Sequence, residues 1–99
     1  MSAKIDIPTE EIAEFCKRNR IRRLSLFGSV LRDDFTSDSD VDVLLEFEPE
    51  TRVGLRFFRL ERELSEILGH KVDLNTPGFL SRHFREEVLD EAEVLYEKA

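Results

Sequence analysis

The residues best suited to chemistry sit between Leu24 and Leu45, in the run Leu-Ser-Leu-Phe-Gly-Ser-Val-Leu-Arg followed by Ser-Asp-Val-Asp-Val-Leu-Leu. Gly28-Ser29 is followed by ten intervening residues and then by Asp40-Val41-Asp42. Along a strand, side chains alternate between faces, so Asp40 and Asp42 would share one face and Val41, Val43 and Leu45 the other. Two carboxylates side by side repel one another and resist burial unless a cation lies between them. A glycine turn carrying a serine offers backbone N–H groups and a hydroxyl to phosphate oxygens. An anion cradle beside paired carboxylates is equipment for a metal-chelated nucleoside triphosphate.

Asp-x-Asp alone is common, and Asp38-Ser39-Asp40 could form a simple turn. An EF-hand loop over Asp38, Asp40 and Asp42 fails, because Val43 stands where glycine is required and Pro49 where the bidentate glutamate belongs. Asp73 alone would be an ordinary polar strand residue. His70 and His83 have no ligand-like spacing and read as structural or surface residues. Cys16, on the apolar face of the first helix, reads as a small buried hydrophobe.

The elements that must position these residues follow from periodicity. Thr9 is the expected N-cap of a helix ending near Asn19, with Ile12, Phe15 and Cys16 on its buried stripe. Ile21 to Phe27 alternates as a strand, Leu24 and Leu26 to one side, Arg23 and Ser25 to the other. A short helical turn over Val30 to Arg32 follows, then polar loop from Asp33 to Ser39. Val41 to Phe47 is a second strand; if it runs antiparallel to the first, Ser29 lies beside Asp40 and Asp42. Glu48-Pro49-Glu50 breaks that strand. A long helix is predicted from Thr51 to Leu68, ended by Gly69, with Val53, Phe57, Leu60, Leu64, Ile67 and Leu68 as its stripe. Arg52, Arg56 and Arg59 fall on another side, as a solvated row or a ligand or partner surface. Exposed Leu55 and Phe58 hint at an interface. Val72 to Asn75 is a third strand, with Asp73 on the carboxylate side. Ser81 to Glu91 reads as a closing helix using Phe84 and Val88, and Val94 to Tyr96 as a docked tail. The assembled expectation is an α+β fold, a small mixed sheet with helices on its apolar face and carboxylates on an open face.

Composition bounds the function. Ninety-nine residues suit one domain, 1–99, with no room for a separate substrate domain. A net charge of −7 repels a nucleic-acid backbone, so no direct nucleic-acid partner is expected. One cysteine excludes an internal disulfide and fits a reducing compartment. No apolar run reaches the ~20 residues of a membrane span, so the expected location is the cytoplasm.

The Gly28-Ser29…Asp40-Val41-Asp42 spacing resembles the nucleotidyltransferase signature of the DNA polymerase β superfamily. The Gly28-Ser29-Val30-Leu31-Arg32 form and the later Lys71-Val72-Asp73-Leu74-Asn75-Thr76-Pro77 segment resemble its minimal nucleotidyltransferase branch, commonly antitoxins of HEPN-domain ribonuclease toxins. The resemblance implies a two-metal Mg²⁺ site held by Asp40, Asp42 and Asp73, with Asp73 the third carboxylate, which helps to activate the attacking hydroxyl. It implies ATP as substrate, with Gly28 and Ser29 meeting its phosphates. Arg32 is the nearest cation to that turn, free to stabilise charge there or to pair with Asp33 or Asp34. The implied activity is AMP transfer to a hydroxyl, in all expectation a tyrosine, of a HEPN-domain toxin that presents its own acceptor. The alternatives are a non-catalytic antitoxin that acts by binding, or a small-molecule nucleotidyltransferase. A homo- or hetero-oligomer stays open.

Overall fold

The computed structural model describes residues 5–32, 35–36, 38–76 and 82–98, with the backbone alone for 82–85. In chain order the elements are α1 (Thr9–Arg18), β1 (Ile21–Phe27), a 3-10 turn (Gly28–Leu31), β2 (Val41–Phe47), α2 (Arg56–Leu68), β3 (Val72–Asn75), α3 (Arg82–Glu91) and β4 (Glu93–Glu97). The four strands form one mixed sheet in the order β3-β2-β1-β4. β1 runs antiparallel to both β2 and β4, while β2 and β3 are parallel, connected through α2.

α1 starts one residue earlier than expected. Pro8 is the capping residue, its carbonyl accepting from Ile12 N at 3.0 Å, and Thr9 is already helical and makes no side-chain cap. Glu10 and Glu11 in the first turn and Lys17 and Arg18 in the last still complement the helix dipole. Asn19 closes the helix by donating from Nδ2 to the Phe15 carbonyl at 2.8 Å.

The long helix is shorter than predicted. Thr51 to Leu55 lie outside it, because Glu50 (φ 66°) and Gly54 (φ 54°) both sit in the left-handed region, which interrupts a right-handed helix. From Arg56 onward the expected stripe holds: Leu60, Leu64 and Leu68 are buried, with Phe57 and Ile67 packed against the same core, which Val53 also reaches from outside the helix. Gly69 (φ 70°) ends α2 in the left-handed conformation, as its position in the sequence implied. Two α2 side chains then satisfy the outer edge of β3: Val72 N donates to Ser65 Oγ at 3.0 Å and Leu74 N to Glu61 Oε2 at 3.1 Å. Capped this way, the edge strand offers fewer free N–H groups to another chain.

The main core lies between α1, α2 and one face of the sheet. It gathers Ile12, Phe15 and Cys16 with Leu24, Leu26, Val41, Val43, Leu45, Leu60, Leu64, Val72 and Leu74. Burial of Cys16 pushes its thiol up to about 12, which fits a packing role. The other face is not open throughout. Phe27, Leu44 and Val88 form a second buried cluster there, with Ala92 against it, so α3 covers part of the face expected to be bare. On the same face Arg23 grips Glu46 through Nε and Nη2 at 2.6 and 3.0 Å, tying β1 to β2. Phe84, expected to share this packing, lies outside the described side chains.

The expected tail is a strand. β4 pairs with β1 from Glu93↔Leu26 to Glu97↔Arg23, and Tyr96 packs against the main core as anticipated. Among the described residues no helix is long and apolar enough to cross a membrane.

Candidate active site

The carboxylates come together through strand register. Asp42 stands opposite Phe27 of β1 on one side and opposite Asp73 of β3 on the other. Because the two pairings share β2, the end of β1 is delivered to the beginning of β2 and β3. The chain then leaves β1 through Gly28, whose φ is +77°. A side chain there would be strained and misplaced: its Cβ would overlap Asp42 Oδ2 and lie 3.2 Å from Asp42 Cγ. Glycine is required at this position for both reasons. The turn is closed by Arg32 N donating to the Ser29 carbonyl at 2.9 Å.

Partial burial pushes the Asp42 carboxyl up to about 6. The Asp73 charge, a hydrogen bond shared with Asp73 and the Asp40 charge all add to that rise, and Arg32 opposes it. Asp42 is the half-buried member, while Asp40 and Asp73 are exposed at its flanks. Among the described residues no three His, Cys, Asp or Glu side chains are drawn together as a finished metal cage. Asp42 and Asp73 share a hydrogen bond, and Asp40, one residue before β2, acts on Asp42 through its charge. The donor chemistry is all carboxylate oxygen, which suits a hard divalent cation, and the raised Asp42 marks a place where positive charge would be welcome.

Arg32 does reach the site, since its charge is felt by Asp42. Its partner, however, is distant in sequence: Arg32 Nη2 lies 3.2 and 3.4 Å from the two carboxylate oxygens of Glu91, the last residue of α3. Asp33 and Asp34, the partners considered from sequence, lie outside the described residues. Glu91 had no local signal, because it is 59 residues away from Arg32. His70 stacks at a tilt on Phe35, with ring centroids 5.7 Å apart, and takes no part in the carboxylate group. A shallow concavity at Ile7, Pro8, Thr9, Glu10 and Glu11 lies at the start of α1 and contains none of these groups. The site is therefore a sheet face bordered by a turn and by α3.

Known proteins resemble this chain in both sequence and fold. A nucleotidyltransferase domain model matches residues 9–95. The protein adenylyltransferase MntA of Thermococcus cleftensis is 38% identical over 85 residues, which cover 86% of this chain and 85% of that one. A crystal structure of a toxin–antitoxin with AMP-PNP superposes with a TM-score of 0.74 at 20% identity, covering 93% of this chain and 75% of the other. The tri-AMPylated Shewanella oneidensis HEPN toxin in complex with MNT antitoxin gives a TM-score of 0.66 at 21% identity, with 91% and 70% covered. At those identities the two structures speak for the fold alone. The family model spans the glycine turn and all three aspartates, and on that match the chain belongs to the nucleotidyltransferase domain family.

Proposed function

We propose that this chain is a single-domain, Mg²⁺-dependent antitoxin that transfers AMP from ATP to a tyrosine hydroxyl of a HEPN-domain ribonuclease toxin. The observation that carries the reading is the register that sets Asp42 against Asp73 with Gly28 packed on the Asp42 carboxylate. The relatives point the same way: MntA of Thermococcus cleftensis is named a protein adenylyltransferase, and the Shewanella oneidensis complex pairs an AMPylated HEPN toxin with an MNT antitoxin.

Asp40, Asp42 and Asp73 would hold the Mg²⁺ ions. Bound there, divalent ions supply neutralisation of charge on the attacking and leaving oxygens. Gly28 leaves the backbone clear for phosphate to approach, and Ser29 offers its hydroxyl and N–H to the β- or γ-phosphate. Arg32 adds positive charge at the same turn. The acceptor oxygen forms a bond to the α-phosphorus as the bond from that phosphorus to the bridging oxygen breaks, and pyrophosphate departs. Asp73 is exposed beside Asp42 and would help to activate the attacking hydroxyl by taking its proton. The toxin presents its own tyrosine to the sheet face.

A catalytic antitoxin acts by turnover. Substoichiometric protein with ATP and Mg²⁺ should silence excess ribonuclease, with intact mass showing added AMP on the toxin. The silenced toxin should stay silent after this chain is removed. Equal neutralisation by Asp40→Asn/Asp42→Asn, at one copy per toxin site and without ATP, would leave an antitoxin that works by binding.

A further inference from the structure

The Arg32–Glu91 ion pair is unusual in what each partner is attached to. Arg32 follows the 3-10 turn in extended backbone, tied locally by its N–H to the Ser29 carbonyl at 2.9 Å and by its carbonyl, which accepts from Phe35 N at 3.3 Å. Glu91 is held by rigid structure on both sides. Three residues before it, Val88 is buried between Phe27 and Leu44, and two residues after it Glu93 enters the sheet opposite Leu26. Ala92 N also donates to the Val88 carbonyl at 2.9 Å. The backbone beneath Glu91 is thus anchored by core packing and strand pairing, whereas that of Arg32 is held by turn hydrogen bonds.

The contact uses one nitrogen. Arg32 Nη2 takes both Glu91 oxygens, at 3.2 and 3.4 Å, and among the described residues Nε and Nη1 have no protein partner. A guanidinium is a planar fork with five N–H donors, so a carboxylate can hold one corner while the others face a phosphate. The same guanidinium lies within electrostatic reach of Asp42. Arg32 therefore pairs with the end of α3 directly after the turn that Gly28 and Ser29 begin, and its charge reaches the carboxylates.

We infer that Glu91 is a positioning residue for nucleotide binding: it holds the Arg32 guanidinium at the turn with its free donors ready for the triphosphate. The inference rests on the reading of that turn as the phosphate site. Glu91 itself touches no substrate. Its negative charge opposes the nucleotide's, but the pair is solvent-exposed, with 57% and 45% of the side chains accessible, so that repulsion is screened. Ordering a long, otherwise free arginine is the larger effect, since a lone arginine loses its rotamer freedom when it engages phosphate.

Calorimetric titration of AMP-PNP with Mg²⁺ into the full chain tests this in a double-mutant cycle. Arg32→Ala should weaken binding about tenfold, the loss of a charged hydrogen bond. Glu91→Ala should weaken it about threefold, within the range of exposed ion-pair coupling. Glu91→Gln, which keeps an acceptor oxygen, should fall between parent and Glu91→Ala. In the Arg32→Ala background Glu91→Ala should cost nothing more. A Glu91→Ala variant that binds as well as the parent, or better, overturns the inference and makes Glu91 idle or a competitor. An equal loss in the Arg32→Ala background also overturns it, because Glu91 would then act through α3 and not through Arg32. If Arg32→Ala itself leaves affinity unchanged, the reading of the turn falls as well.

Discussion

Replacing Asp42 by asparagine should stabilise the protein while abolishing AMP transfer, and the gain should depend on pH. Folding raises the Asp42 carboxyl from 3.8 to about 6. A folded state that holds this proton more tightly than the unfolded chain is favoured at low pH and loses that advantage as pH rises. The penalty is absent below pH 3.8, grows between 3.8 and about 6, and is complete above that. A rise of roughly two pH units corresponds to ~3 kcal/mol. Asp42 keeps part of its surface in water, and screening reduces that figure to about 1.5 kcal/mol. Asparagine keeps the shape and removes the charge, so the variant should recover most of this. For a domain of this size 1 kcal/mol moves Tm by about 4–8 °C, so a gain of about 6–12 °C is expected at pH 8. Near pH 4 parent and variant should melt within about 2 °C of each other. Thermal melts followed by circular dichroism, in metal-free buffer across pH 4–8, provide the measurement. Adding Mg²⁺ at pH 8 should raise the parent's Tm and leave the variant's unchanged. A gain independent of pH, or a loss of stability at pH 8, would refute the argument that Asp42 is held against its charge.

Three further outcomes follow from the packing. Gly28→Ala puts a Cβ onto the Asp42 carboxylate at a positive φ, so it should cost about 1–3 kcal/mol in urea denaturation and weaken nucleotide binding; a variant identical to the parent in both would remove the close approach. Leu44→Ala, at 1% exposure in the second cluster, should cost about 2–5 kcal/mol; a loss below about 1 kcal/mol would mean that α3 does not close this face. Cys16, with no exposed surface, should react with thiol reagents at pH 8 only on unfolding, and rapid native labelling would contradict its burial.

The sequence was most legible where one face of an element alternates cleanly with the other. β1, β2 and β3 fall where periodicity put them, and Asp42 and Asp73 share the predicted face. The errors have local causes. Gly54 was visible inside the supposed start of α2, but its left-handed backbone overrode an apolar stripe that continued through it. β4 is five residues long with a register shift along β1, and its strand character comes from pairing that periodicity cannot report. The run Val43-Leu44-Leu45 carried a readable sign of burial on both faces, since a strand with one wet face alternates. Reading only one apolar face hid Leu44, and with it the docking of α3. Arg32–Glu91 was out of reach for any local pattern.

The same alternation explains how a cluster of like charges is held in place. When both are ionised Asp42 and Asp73 repel one another, and the hydrogen bond they share forms only while one holds a proton. What sets them opposite each other is the far side of the strands, where Val41, Val43 and Leu45 pack with Val72, Leu74, Leu24 and Leu26 in the main core. A slip of one residue in β3 would turn Asp73 toward that core and Val72 and Leu74 away from it. An unpaired buried carboxylate costs several kcal/mol, and two lost aliphatic side chains add about 1.5–3 kcal/mol each. The whole penalty on the Asp42 charge, burial first and repulsion second, is smaller, about 1.5 kcal/mol after screening. The core therefore wins, and the register that hides valine and leucine is the register that presents the aspartates. Charge repulsion confined to the rim of a sheet, opposed by packing on its reverse, leaves the carboxylates close together and in need of a cation.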